Sequence, residues 1–143
     1  MNNLKVTVFA GLSVLLVSSH SVASEPLALQ KIMADIGSNM ERIVHGIARE
    51  DWMLVEQAAD KVANHPTPPM TDKVRILSYV GTDMATFKSL DSKTHDSAIV
   101  LGQEAAKKDG AKVIAQFADL QNTCLACHQR FRQAFKAHFY GEK

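Results

Sequence analysis

The chain has only two cysteines, one tryptophan and four prolines in 143 residues. Two cysteines exclude a zinc site made of four thiolates. A disulfide between them, Cys124 to Cys127, would close too small a loop to constrain much of the unfolded chain. The prolines are confined to Pro26, Pro66, Pro68 and Pro69, and from Met70 to Lys143 nothing of that kind interrupts a helix. There is no fixed-period repeat, no low-complexity tract and no block of like charge. A formal net charge of +1 gives no electrostatic reason to expect nucleic acid as a partner. The one apolar run, Val6 to Val17, falls well short of the roughly 20 residues that span a bilayer.

That run reads as the core of a secretory signal peptide over residues 1–24. Lys5 supplies the positive start, and Ser21-Val22-Ala23 supplies a small-residue cleavage site. No cysteine stands near that site to carry a lipid, so no stable membrane anchor is expected. The segment holds Lys5 and no acidic residue, so its removal takes the formal charge from +1 to about 0. About 119 residues remain, residues 25–143, enough for one domain with one core.

The remaining sequence reads as four helical segments. Leu29, Met33, Ile36, Met40, Ile43 and Ile47 alternate steps of four and three, the spacing of a bundle seam, over a first helix from about Leu27 to Ala48. Pro26 suits that helix's first turn. Trp52, Val55, Ala59 and Val62 repeat the rhythm over Asp51 to Asn64, and His65-Pro66-Thr67-Pro68-Pro69 must then be a loop. The third segment carries Leu77, Val80, Met84, Phe87, Ala98, Leu101 and Ala105, with an expected break near Gly81. Lys107-Lys108 before Asp109-Gly110 predicts a helix end with Gly110 as its left-handed cap. The fourth segment carries Val113, Phe117, Leu120, Cys124, Cys127 and Phe131 on one seam. Short connections then specify an all-α, antiparallel up-down-up-down four-helix bundle.

Cys124-Leu125-Ala126-Cys127-His128 carries the chemistry. Cys-x-x-Cys-His is the attachment signature of c-type haem: two thiols add to the vinyl groups on one porphyrin edge while the adjacent imidazole reaches the iron. On a helix the three side chains project from one face. A thioredoxin-like redox pair belongs beside a βαβ pattern, and no strand-period segment surrounds this motif. With both cysteines on the core seam, the bundle is expected to enclose one covalently attached haem. His128 then fills one axial position. Met33, a soft thioether on the first helix, is the candidate for the other, although a methionine at helical spacing is more often core filler. Gly37, one turn beyond Met33 in mid-helix, costs about 1 kcal/mol relative to alanine, and close approach of a flat ring would explain it. Met40, one heptad on, is a competing thioether. The other histidines form no readable site: His45 lies off the seam, His65 in the proline loop, His95 in the polar part of the third segment, and His138 too far along the helix from His128 to share one iron.

Over essentially the whole mature chain the sequence resembles the cytochrome c-prime family, the class II c-type cytochromes. The resemblance rests on the methionine-bearing first helix, the proline loop after the second, and Cys124-Leu125-Ala126-Cys127-His128-Gln129-Arg130-Phe131-Arg132. Lys31 to Met40 is similar to the first helix of the low-spin branch, cytochrome c-556, in which this methionine is the sixth ligand. The resemblance implies haem c held by Cys124 and Cys127, with iron between His128 and Met33. It also implies an arginine, Arg132, beside the proximal face, where it modulates the histidine or access to it, or is simply a solvated charge. The expected function is electron transfer in the periplasm with periplasmic redox partners, without catalytic residues. A five-coordinate protein binding nitric oxide or carbon monoxide is the alternative, and a peroxidase, which needs a distal acid–base group, ranks last. Family members often form homodimers through their first two helices, so a homodimer belongs among the expectations.

Overall fold

The structure, a computed structural model, describes residues 25–141. The signal-peptide reading and its cleavage site lie outside the described residues. Six α-helices follow in order: α1 Leu29–Ala48, α2 Trp52–Ala63, α3 Met70–Val80, α4 Met84–Ala106, α5 Gly110–Cys127 and α6 Gln133–Phe139. A 3₁₀ turn, Gly81–Asp83, joins α3 to α4, and a π-helical segment, His128–Arg132, joins α5 to α6. These pieces make four arms, the third broken at Gly81 and the fourth passing through the π-helical turn. The expected four-helix bundle is the fold.

Each junction has a local cause. Gly81 takes φ +55°, a left-handed conformation that ends α3 and reopens the chain as the 3₁₀ turn. The expected start of the second arm is also found: the Asp51 carboxylate accepts the Leu54 N–H at 3.1 Å and caps α2. The expected glycine cap before α5 is not there. Lys108, not Gly110, takes the left-handed conformation at φ 60°, and Asp109 caps α5 by accepting the Lys112 N–H at 3.2 Å. Gly110 begins α5, where an added Cβ would lie 3.0 Å from the Trp52 ring. Its missing side chain answers to helix packing, not to turn geometry.

Pro26 precedes α1 instead of entering its first turn. No side chain of α1 caps its own N-terminus. Asp72 of α3 does so from 44 residues away, accepting the Ala28 N–H at 2.7 Å, while Arg75 donates to the Glu25 carbonyl at 2.8 Å. A carboxylate at a helix N-terminus meets both an unpaired donor and the positive end of the dipole, which accounts for a buried aspartate at this position.

Two core clusters run along the bundle. One is aliphatic, joining Ile43, Val55, Ala58, Ala59, Val62, Ala98, Leu101, Ala105, Val113 and Leu120 across α1, α2, α4 and α5. The other is largely aromatic, joining Leu27, Ile76, Phe131, Phe135 and Phe139 with Phe87 and Met84 packed against them. Extensive packing links α1 to α2, α2 to α4 and α4 to α5, whereas α1 and α5 meet only sparsely. The bundle is therefore loosest along the side where its first and last arms face each other.

Candidate haem-attachment site

The attachment segment closes α5 and opens the π-helical turn. Cys124 and Cys127 are the last part of a regular helix, and His128 begins a stretch in which the backbone bonds reach back five residues instead of four. The α-helical period expected to continue through Phe131 therefore widens immediately after the second cysteine. Phe131 nevertheless stays in the core at 8% exposure, and it anchors the turn.

The two cysteines rest on different supports. Cys124 packs against the aliphatic cluster and Cys127 against the aromatic one. Both thiols are free and half-buried. Burial pushes each thiol above its ordinary pKa; at Cys127 the charges of Asp91 and Cys124 add to that rise. His128 is shifted the other way. His128 is exposed, unlike the half-buried cysteines, and what desolvation it has lowers its pKa below the usual imidazole value, with the Arg132 guanidinium lowering it further. Both effects favour the neutral ring, the form with a lone pair to offer a metal.

Aromatic packing fixes the far side of the segment. Phe87 of α4 meets Phe131 edge-on at 5.2 Å between centroids and stacks on Phe135 at 5.7 Å. Tyr79 of α3 donates its hydroxyl to the Ala134 carbonyl at 3.1 Å and stacks on His138 at 4.1 Å. Arg130 reaches Asp83 of the 3₁₀ turn at 3.0 Å and lies over the Phe131 ring. The break at Gly81 thus has a second role, because it places Asp83 opposite the π-helical segment. The Arg130–Asp83 pair was not readable in the sequence, since it joins residues 47 apart through the tertiary fold. The π-helical turn was not readable either, since no proline or glycine marks it.

On α1, Ile32 is buried and Met33 is 39% exposed. Met33 was expected to point inward, but one residue along a helix is a rotation of about 100°, and Ile32 takes the inward place. Met33 stands outside both core clusters, on the edge of the face whose Ile36 and Met40 pack against the aliphatic cluster, as Cys124 also does. The competing Met40 is thereby committed to core packing. Gly37 is exposed, and a Cβ added there would meet nothing within 4 Å. No packing constraint within the polypeptide accounts for that glycine, in contrast to Gly46, where an added Cβ would lie 2.7 Å from Val55 Cγ2. Arg132 is exposed beside His128.

Two half-buried thiols with an imidazole directly after the second are residues that could hold a covalently attached haem. The family model described as Cytochrome C' matches residues 28–132, most of the chain. The chain belongs to the cytochrome c-prime family, whose members bind covalently attached haem c and transfer electrons or bind gases. Comparison with curated proteins and with solved structures finds no match. Proteins of the family are typically periplasmic and often dimeric. Among the described residues no helix is long and apolar enough to cross a membrane.

Proposed function

We propose that this chain is a periplasmic one-electron carrier of the low-spin branch of its family, exported by residues 1–24 and holding one haem c through Cys124 and Cys127. His128 and Met33 would hold its iron. When bound, the haem supplies a one-electron ferric/ferrous couple whose potential a methionine–histidine pair sets high. The chain's own residues do the rest. The two cysteines attach one edge of the group, and each is backed by a different core cluster. Partial burial and, after it, the charge of Arg132 both disfavour the imidazolium form of His128, which would help keep a ligand nitrogen available.

The observation that carries the reading is the contrast between the two methionines of α1. Met40 is used by the aliphatic cluster, whereas Met33 is an exposed apolar side chain in neither cluster. Core filling, the ordinary explanation of a methionine at this spacing, does not apply to it. Gly37 one turn further supports the same face, since nothing in the polypeptide asks for a glycine there.

The exposure of Met33 also favours a second reading, in which the thioether leaves the iron open and a diatomic gas binds. Carbon monoxide mixed with the reduced protein separates the two. A carrier with both axial positions filled by the protein binds it slowly or not at all. Rapid, saturable binding would move gas capture ahead of electron transfer.

A further inference from the structure

Three side chains outside the proposed haem ligand set converge where the loop after α2 meets α4. His65 comes from the loop after α2, and Asp91 and His95 come from one face of α4, four residues apart. One ligand atom from each lies within 4.8 Å of the others. The two imidazole rings lie 4.7 Å apart between centroids, and His95 Nε2 is 3.7 Å from Asp91 Oδ2, beyond a direct hydrogen bond.

The hydrogen bonds behind the rings decide what these nitrogens can do. His65 Nδ1 contacts the Pro66 carbonyl at 2.9 Å, and His95 Nδ1 contacts the Ala63 carbonyl. A carbonyl oxygen only accepts, so each Nδ1 carries the proton and donates it. In the neutral rings both Nε2 atoms then hold free lone pairs. A backbone carbonyl behind each ring is the arrangement that orients metal-binding histidines and raises their basicity. Here it occurs twice, on two rings that each have a nitrogen within 4.8 Å of an Asp91 carboxylate oxygen.

We propose that His65, Asp91 and His95 bind one divalent first-row transition-metal cation, of the zinc or copper class, tying the proline loop to α4. Two imidazoles and one carboxylate suit such ions better than magnesium or calcium, which prefer all-oxygen shells. Bonds of about 2.0–2.2 Å in a tetrahedral site need ligand atoms roughly 3.4 Å apart. The cluster must therefore contract by about 1 Å or a little more, a movement shared between the exposed Asp91 side chain and His65, which sits in a loop. Solvent reaches the site through Asp91, leaving water to complete the shell. The site adjoins the attachment segment, since the charge of Asp91 is felt at Cys127. None of its three ligands is among the residues proposed to hold the haem.

Calorimetric titration of the haem-loaded protein with Zn²⁺ tests the proposal. One zinc per chain is expected, with affinity reduced at least about ten-fold by His65→Ala and by His95→Ala, and less by Asp91→Asn. His65 lies outside every helix, so His65→Ala removes a ligand while leaving α4 intact. His45→Ala, at an exposed position of α1, is the control and should bind zinc as the unmodified protein does. Millimolar Mg²⁺ should not compete. Absence of saturable zinc binding, or binding unchanged in the His65→Ala/His95→Ala double variant with its haem absorption intact, would overturn the assignment.

Discussion

The aliphatic cluster around Leu101 and Leu120 and the aromatic cluster around Phe131 and Phe135 stabilise the bundle by different means. In the first, Ala58, Ala59, Ala98 and Ala105 are wholly buried, and Gly102 would bring a Cβ to 3.8 Å from Ala59. Small side chains let α2 and α4 approach closely, and the larger Leu101, Leu120, Ile43 and Val55 fill what remains at no exposure. In the second, every buried phenylalanine keeps 6–8% exposure, and several partners are only half-buried. Large rings there fill the space and keep slight solvent access. The attachment cysteines stand at the boundary, so one edge of the site is fixed by the tight end and the other by the looser end.

This contrast predicts unequal responses to truncation. Leu120→Ala should cost about 2–5 kcal/mol, because it opens a cavity in packing that has little freedom to collapse. Phe87→Ala, at a half-buried ring, should cost about 1–2 kcal/mol, within what burial of part of an aromatic contributes. Urea denaturation of the two haem-loaded variants makes the comparison. A larger loss for Phe87→Ala would reverse the ranking of the two ends.

The two glycines of α1 sharpen the same contrast within one helix. Gly46→Ala should destabilise by about 1–3 kcal/mol, since its Cβ would strike Val55 and crowd the Asp51 carbonyl at 3.1 Å. Gly37→Ala should stabilise the haem-free polypeptide by up to about 1 kcal/mol, the ordinary helix preference of alanine. In the haem-loaded protein it should instead alter the absorption spectrum. Thermal melts of the haem-free chains check the first pair of signs, and a loss of stability in haem-free Gly37→Ala would contradict the account. The smallest effect belongs to Arg130→Ala. Both partners of the Arg130–Asp83 pair are about half exposed, so about 0–1 kcal/mol is expected, shrinking as salt is added.

The sequence carried the bundle because its signals are local and repeated. The four-three steps of α1, α2 and α5, the proline cluster at 66–69 and the glycine at 81 each mark a segment or its end without reference to anything distant. The cysteine–histidine motif was legible for the same reason. What escaped notice depends on the tertiary fold. Asp72 caps α1 by accepting an N–H from 44 residues earlier, Gly110 is small because Trp52 crosses it, and His65 meets His95 only after α2 and α4 have packed. The place of Met33 falls between these cases. Periodicity put it on the seam, but a seam has edges, and the choice between Ile32 and Met33 for the inward place is a rotation that spacing alone does not resolve.

The most direct measurement is the absorption spectrum of the haem-loaded protein, oxidised and reduced, beside that of Met33→Ala. The account predicts a low-spin spectrum for the unmodified protein and a high-spin one for the variant, with helicity unchanged, since Met33 contributes to neither core cluster. An unmodified protein that is already high-spin, and is unaffected by the substitution, would contradict Met33 ligation and the carrier function built on it.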